Sequence, residues 1–178
     1  MTKILRSLAI AAACTLLVGT VVMKPLYAAG TDTPPPVDDG KKKEKGSMID
    51  EQARQLAYAK FLHDYRAARD MILAGHYRDG IAALHALGHD EHPDVANYIG
   101  YANRKLGNYD QSKVWYEAAL KADPNHTRTW SYYGMWQMEQ GNRLKALDNL
   151  QKVNLLCGNT ACKEYVELKA VIDGTASY

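Results

Sequence analysis

Cys157 and Cys162 carry the most definite chemistry in this chain: two thiols in the run CGNTAC, with four residues between them. A redox pair usually has two intervening residues, and a zinc pair of that type needs a second pair or histidines to complete four ligands. The interval here is four and no second pair exists, which favours a structural disulfide. A second chemistry is offered by His85, His89 and His92, with Asp90 and Glu91 among them. His85 and His89 are four apart, a spacing that on one helical face suits zinc or copper. Gly88 falls between them and is expected to end the helix, so the cluster reads as a polar loop and no metal is assigned to it. There is no glycine-rich phosphate loop and no nucleophile elbow, and the acids are scattered in the manner of solubilising charge. The chain is therefore not read as an enzyme, and no cofactor is expected.

The first residues set the compartment in which the thiols sit. Lys3 and Arg6 precede an apolar run from Leu8 to Met23, followed by Lys24, Pro25 and the small pair Ala28 and Ala29. That order of charge, apolar core and small residues is the order of a secretory signal peptide. The run has 16 residues, short of the roughly 20 that span a bilayer comfortably. Residues 1–29 are thus expected to direct export to the periplasm or exterior, with cleavage near Ala28 or Ala29. Retention as an inner-membrane anchor facing the periplasm is the alternative. Cys14 leaves with the leader, so the exported part keeps an even number of cysteines in an oxidising compartment, and a Cys157–Cys162 disulfide is expected. The charge balance changes as well. The whole chain is +2 and Lys3, Arg6 and Lys24 supply three positive charges before residue 29 with no acid, leaving −1. No net electrostatic case for nucleic acid remains.

Residues 30–48, GTDTPPPVDDGKKKEKGSM, contain three consecutive prolines, a lysine run and almost nothing apolar. Such a segment cannot bury enough surface to offset its ordering entropy, and it reads as a disordered linker. The remainder, 49–178, is long enough for one domain with a continuous core.

That domain reads as helical throughout. Ala57, Phe61, Tyr65, Ala68 and Ile72 recur at three- and four-residue spacing, which predicts a long first helix ending at Ala74-Gly75. Tyr77 to Leu87 forms a shorter partner with Ile81, Leu84 and Leu87 inward, closed by Gly88. Pro93 and Asp94 open the next helix, which runs to Leu106, and Gly107-Asn108 turns it into another ending at Ala122. Arg128 to Gln140 and Arg143 to Leu156 repeat the plan around Gly141-Asn142, and Ala161 to Ile172 forms a last helix without a partner of its own.

The text between these turns repeats. Gly100, Gly107 and Asn108 stand 34 residues before Gly134, Gly141 and Asn142, a period that marks a helix-turn-helix solenoid. In its residue types the chain resembles the tetratricopeptide repeat (TPR) proteins. The second hairpin meets their pattern at Ile99, Gly100, Tyr116, Ala119 and Pro124 and departs from it at Ala96, Asn103 and Ser112. The third meets it at Trp130, Gly134 and Ala146, with Leu150 for an aromatic residue and Gln137 and Gly158 as departures. The first agrees only at Gly75, Tyr77 and Leu84, and its turn lies 32 residues before the next. The resemblance implies an all-α fold over 49–178: a TPR-type solenoid of about three hairpins with a C-terminal capping helix, which the disulfide would staple over the open end.

The resemblance also implies a site. In this family the first helices of successive hairpins line a concave groove that holds a peptide or a partner's helix. Carried onto this chain, the groove takes in Arg69, Asn97, Tyr101, Arg104, Lys105, Arg128, Ser131, Met135 and Met138. Basic, aromatic and thioether groups together suit an acidic or C-terminal segment. The function so implied is a protein- or peptide-binding scaffold or adaptor in the bacterial periplasm or cell envelope. The alternative is a small periplasmic metal-binding protein using His85, His89 and His92. Neither reading involves nucleic acid, and the membrane enters only if the leader is retained.

Overall fold

Helices α1 (Met48–Leu73), α2 (Tyr77–His85), α3 (Pro93–Lys105), α4 (Tyr109–Ala122), α5 (Thr127–Glu139), α6 (Arg143–Cys157) and α7 (Lys163–Ile172) make up a computed structural model that describes residues 48–177. The leader and nearly all of the linker lie outside the described residues, so their expected roles are not addressed by the fold. Met48, which composition assigns to the linker, opens α1. No strand occurs among the described residues.

The helices pair as α1 with α2, α3 with α4 and α5 with α6, while α7 packs on both α5 and α6. The first helices α1, α3 and α5, followed by α7, stand side by side and form one row. The α1 periodicity holds for Phe61, Tyr65, Ala68 and Ile72, all buried. Ala57 is exposed instead. Its partner α2 has nine residues against the 26 of α1, too short at 1.5 Å per residue to cover the first turns of the longer helix. The second helix also ends at His85, two residues before the expected Leu87.

The turns explain two departures from the repeat pattern. Gly107 and Gly141 have φ of 78° and 74°, left-handed backbone that favours glycine. At each turn the following asparagine amide bonds back to the carbonyl five residues earlier, Asn108 to Asn103 at 2.9 Å and Asn142 to Gln137 at 2.8 Å, as in a Schellman close. Side chains then repeat the link: Asn108 Nδ2 donates to Asn103 Oδ1 at 3.2 Å, and Asn142 Nδ2 to Gln137 Oε1 at 3.1 Å. Asn103 and Gln137 are polar where the family pattern is not because each fastens its own turn.

Apolar burial falls into two clusters. One gathers α1, α2 and α3 around Tyr65, Ile72, Leu84, Val95 and Ile99; the other gathers α5, α6 and α7 around Met135, Ala146, Leu150, Val153 and Leu168. Close backbone approach serves both hairpins. A Cβ at Gly100 would stand 2.8 and 2.9 Å from ring carbons of Tyr116, which is fully buried. At Gly134 it would meet the methyl ends of Leu168 at 2.6 and 2.9 Å.

The disulfide joins Cys157, the last residue of α6, to Cys162, which precedes α7. Gly158 caps α6 in the left-handed conformation, and Asn159 bridges the loop by donating to the Cys157 carbonyl and accepting from the Ala161 amide. Glycine rather than the family's proline leaves α6 here because the chain must double back within five residues to reach α7.

Two stability predictions follow from this packing. Gly100→Ala should destabilise by about 1–2 kcal/mol in urea unfolding, because the rigid Tyr116 ring makes overpacking outweigh the gain in helix propensity. Gly134→Ala should cost less, since Leu168 can rotate its methyls away, whereas Gly134→Leu should cost about 1–3 kcal/mol. An equal response at the two alanine sites would contradict the packing described. Replacing both Cys157 and Cys162 with serine should lower stability by about 2 kcal/mol, the amount expected for so short a closed loop. A parent protein whose unfolding midpoint is insensitive to reductant would show that the bridge does not hold α7.

Candidate functional site

Between the two apolar clusters, α3 meets α5 through polar groups. Asp94, in the first turn of α3, is completely buried. Its Oδ1 accepts from His126 Nε2 at 3.1 Å and from Arg128 Nη1 at 3.1 Å. His126 Nδ1 lies 2.6 Å from Thr129 Oγ1, and that hydroxyl donates to Asn97 Oδ1 at 3.0 Å. Repeat phase brings these residues together: Asp94 and Arg128 are 34 apart, as are His92 and His126. One repeat supplies the acid and the next supplies the base at the same position.

Burial pushes the Asp94 carboxyl up, but the hydrogen bond from His126 and the nearby charges of His126, Arg128 and His92 outweigh it and hold the group below its ordinary range. A second link follows one helix turn past the middle of α3. Arg104 Nη1 donates to the Tyr132 carbonyl at 3.1 Å, and Arg104 Nε lies 3.7 Å from Glu139 Oε1. Burial raises the Glu139 carboxyl, against the pull of Arg104 and Lys105.

The nine residues assigned to a groove separate into two sets. Asn97 and Ser131 are buried between helices, Asn97 bonded to Thr129 and Ser131 donating from Oγ to the Glu164 carbonyl at 2.9 Å. Arg69 is bonded to Asp70, Arg128 to Asp94, and Met138 packs against the second apolar cluster. Tyr101, Arg104, Lys105 and Met135 remain, and these four line one open cavity of about 390 Å³. Tyr132, the α7 residues Val166, Glu167, Ala170 and Val171, and Ala176 and Ser177 after α7 complete its walls. The α7 residues were not legible as part of a site because a helix without a partner reads as a cap. Tyr132 had a signal, since it repeats Tyr98 at a distance of 34.

The row of first helices is rich in aromatic rings. Tyr101 stands 5.2 Å from Tyr132, 6.4 Å from Tyr98 and 6.5 Å from Tyr77, centroid to centroid. Arg104 and Lys105 both lie over the Tyr101 ring, at 5.6 and 5.7 Å, within cation–π range. Burial, then Tyr77, raises the Tyr101 phenol, so it stays neutral across the physiological range.

The histidine cluster does not converge. His85 pairs with Asp90 at 2.8 Å, His89 lies 3.6 Å from Glu91, and His92 is buried with its Nδ1 accepting from the Asp94 amide. Among the described residues, the one group of three metal-type donor atoms lying within 4.8 Å of one another is Cys157, Cys162 and Glu164, and its two sulfurs are bonded to each other.

Stacked helical hairpins in one row, joined by repeat-phased contacts and ended by an extra helix, define an α-helical repeat solenoid. The tetratricopeptide repeat family matches residues 93–126, the whole of the second hairpin, so that hairpin carries a tetratricopeptide repeat within an all-α fold of the same type. The chain's fold is similar to that of the type III secretion translocator chaperone SycD of Yersinia enterocolitica. That similarity covers 74% of this chain and 93% of the other, with 15% identity and a TM-score of 0.59. No curated protein gives a significant sequence match.

Titration of Asp94 yields a prediction. Its folded value lies below the ordinary carboxylate value, so its contribution is complete above about pH 4 and is lost as pH falls through the folded value. Urea unfolding followed from pH 6 downwards should show stability declining in that acid range, with a smaller decline in Asp94→Asn. At neutral pH the same variant should be weaker by about 3 kcal/mol, because it leaves buried positive groups without their acid. Parallel pH profiles for the parent and the variant would contradict the assignment.

Proposed function

We propose that this protein is an exported, non-catalytic binding scaffold that holds a segment of a partner protein along its row of first helices. The observation that carries the reading is the open cavity at Tyr101, Lys105, Tyr132 and α7, which combines exposed aromatic and aliphatic surface with a cation. Grooves of that composition receive extended or helical segments by burying a few side chains and fixing them with one or two polar contacts. The likeness in fold to a secretion chaperone supports a role in receiving protein segments, and the leader, the linker and the disulfide support work in the periplasm or envelope. An adaptor or assembly factor for a larger envelope complex is the role that fits all of these. No helix among the described residues is long and apolar enough to cross a membrane, so membrane association would rest on a retained leader.

Val166 and Leu144 provide the test. Both are exposed, Val166 on the cavity wall and Leu144 on α6, away from it. A photo-crosslinking amino acid at position 166 should yield a discrete adduct in the native envelope, and the same group at 144 should yield none. Equal adducts from both positions, or none from 166, would overturn the groove reading. The mass of the exported form should start at residue 29 or 30; an intact leader would instead favour the anchored form.

A further inference from the structure

The cations of the inner row are less available than their number suggests. Arg69 is tied to Asp70, Arg128 to Asp94, and Arg104 to Glu139 and the Tyr132 carbonyl. The acid on the opposite wall, Glu167, stands 3.8 Å from Lys163 of its own helix. Lys105 is different. It lies half-buried over the Tyr101 ring, and among the described residues no carboxylate forms an ion pair with it. Burial, then the neighbouring Arg104, lowers its ammonium, and the weaker pull of Glu139, which also faces Arg104, does not offset them.

Beside this ammonium the cavity is apolar. Met135 and Val171 are both 6% exposed and lie at its base, while Val166 and Ala170 form the α7 side and the Tyr101 and Tyr132 rings form the other. About 390 Å³ is ample for one large side chain, at the lower end of cavities that hold small ligands. A run of acids would find only Lys105 without an ion-paired carboxylate among the described cations of the cavity and would face Glu167 on its wall.

Resting on the groove reading above, we infer that the partner segment is recognised by one large apolar side chain in the Tyr101–Tyr132–Val171 cavity and a single nearby carboxylate paired with Lys105, not by an acidic run. Charge complementarity argues for this occupant: among the described residues that line the cavity, Lys105 is the cation without an ion-paired carboxylate, and most of the surface around it is aliphatic and aromatic. The pair also sets direction, because an anchor and a charge at fixed separation admit a segment in one orientation.

Selection of random peptides displayed on phage against the full-length protein tests the pairing. Enriched peptides should carry an aliphatic or aromatic residue within a few positions of one Asp or Glu. Against Lys105→Glu, the acid at that position should give way to Lys or Arg, and peptides chosen on the parent should bind roughly tenfold more weakly, the scale expected when a partly desolvated charge pair is reversed. Val166→Asp, at an exposed wall position, should remove the apolar preference while the variant still melts like the parent. Peptides with acidic runs, peptides with no acid, or a selection unmoved by Lys105→Glu would overturn the inference and leave the groove reading standing. Failure to enrich any peptide, together with no adduct from position 166, would remove both.

Discussion

A buried carboxylate sets the register of the solenoid. Asp94 sits at the start of α3 with no exposure to solvent and meets His126 and Arg128 from the start of α5. Desolvating a carboxylate is costly unless positive groups and hydrogen-bond donors surround it, so the second hairpin can place Asp94 there only if the third stands where His126 and Arg128 reach it. Apolar contact alone would tolerate a slide of one hairpin on the next. The polar link does not, because a shift of even one residue would leave the acid without its partners.

The same seam shapes the surface above it. Arg104 and Arg128 resemble groove cations in sequence, but the structure uses both to bind α3 to α5. The inner row is consequently more aromatic than basic, with Tyr101 set against both Tyr98 and Tyr132, Arg128 over the Tyr98 ring and Lys105 over the Tyr101 ring. The capping helix contributes more than closure. Through Val166, Ala170 and Val171 it supplies one wall of the open cavity, and the Cys157–Cys162 bridge fixes where that wall begins.

The sequence carried the helices and turns well. Glycine and asparagine at 34-residue spacing located two turns that the structure closes in the same way, and the α1 periodicity named four of its buried residues correctly. Ala57 misled because periodicity describes one helix and not the length of its neighbour. Asn103 and Gln137 looked like departures from a family pattern, yet each is a local fastening whose partner lies five residues on. The site was less legible. Four of the nine groove positions line the cavity, and its α7 wall was absent from the reading because position along a helix gives no information about which other helix it will face.

Local physical chemistry is what the chain by itself determined: where helices start and stop, which residues are too apolar to remain in water, and that successive hairpins must stack to bury them. Those properties depend on neighbours a few residues away, so they are written in the order of residues. Tertiary structure decided which charges are spent and which remain. Arg104, Lys105 and Arg128 are alike as sequence text, but only after α3, α5 and α7 pack does Lys105 stand at an open cavity with no ion-paired carboxylate among the described residues, while Arg104 pairs with Glu139 and Arg128 with Asp94. Pairing is a matter of distance across the fold, where electrostatic energy is set, and distance across the fold is the quantity a single chain of letters does not contain.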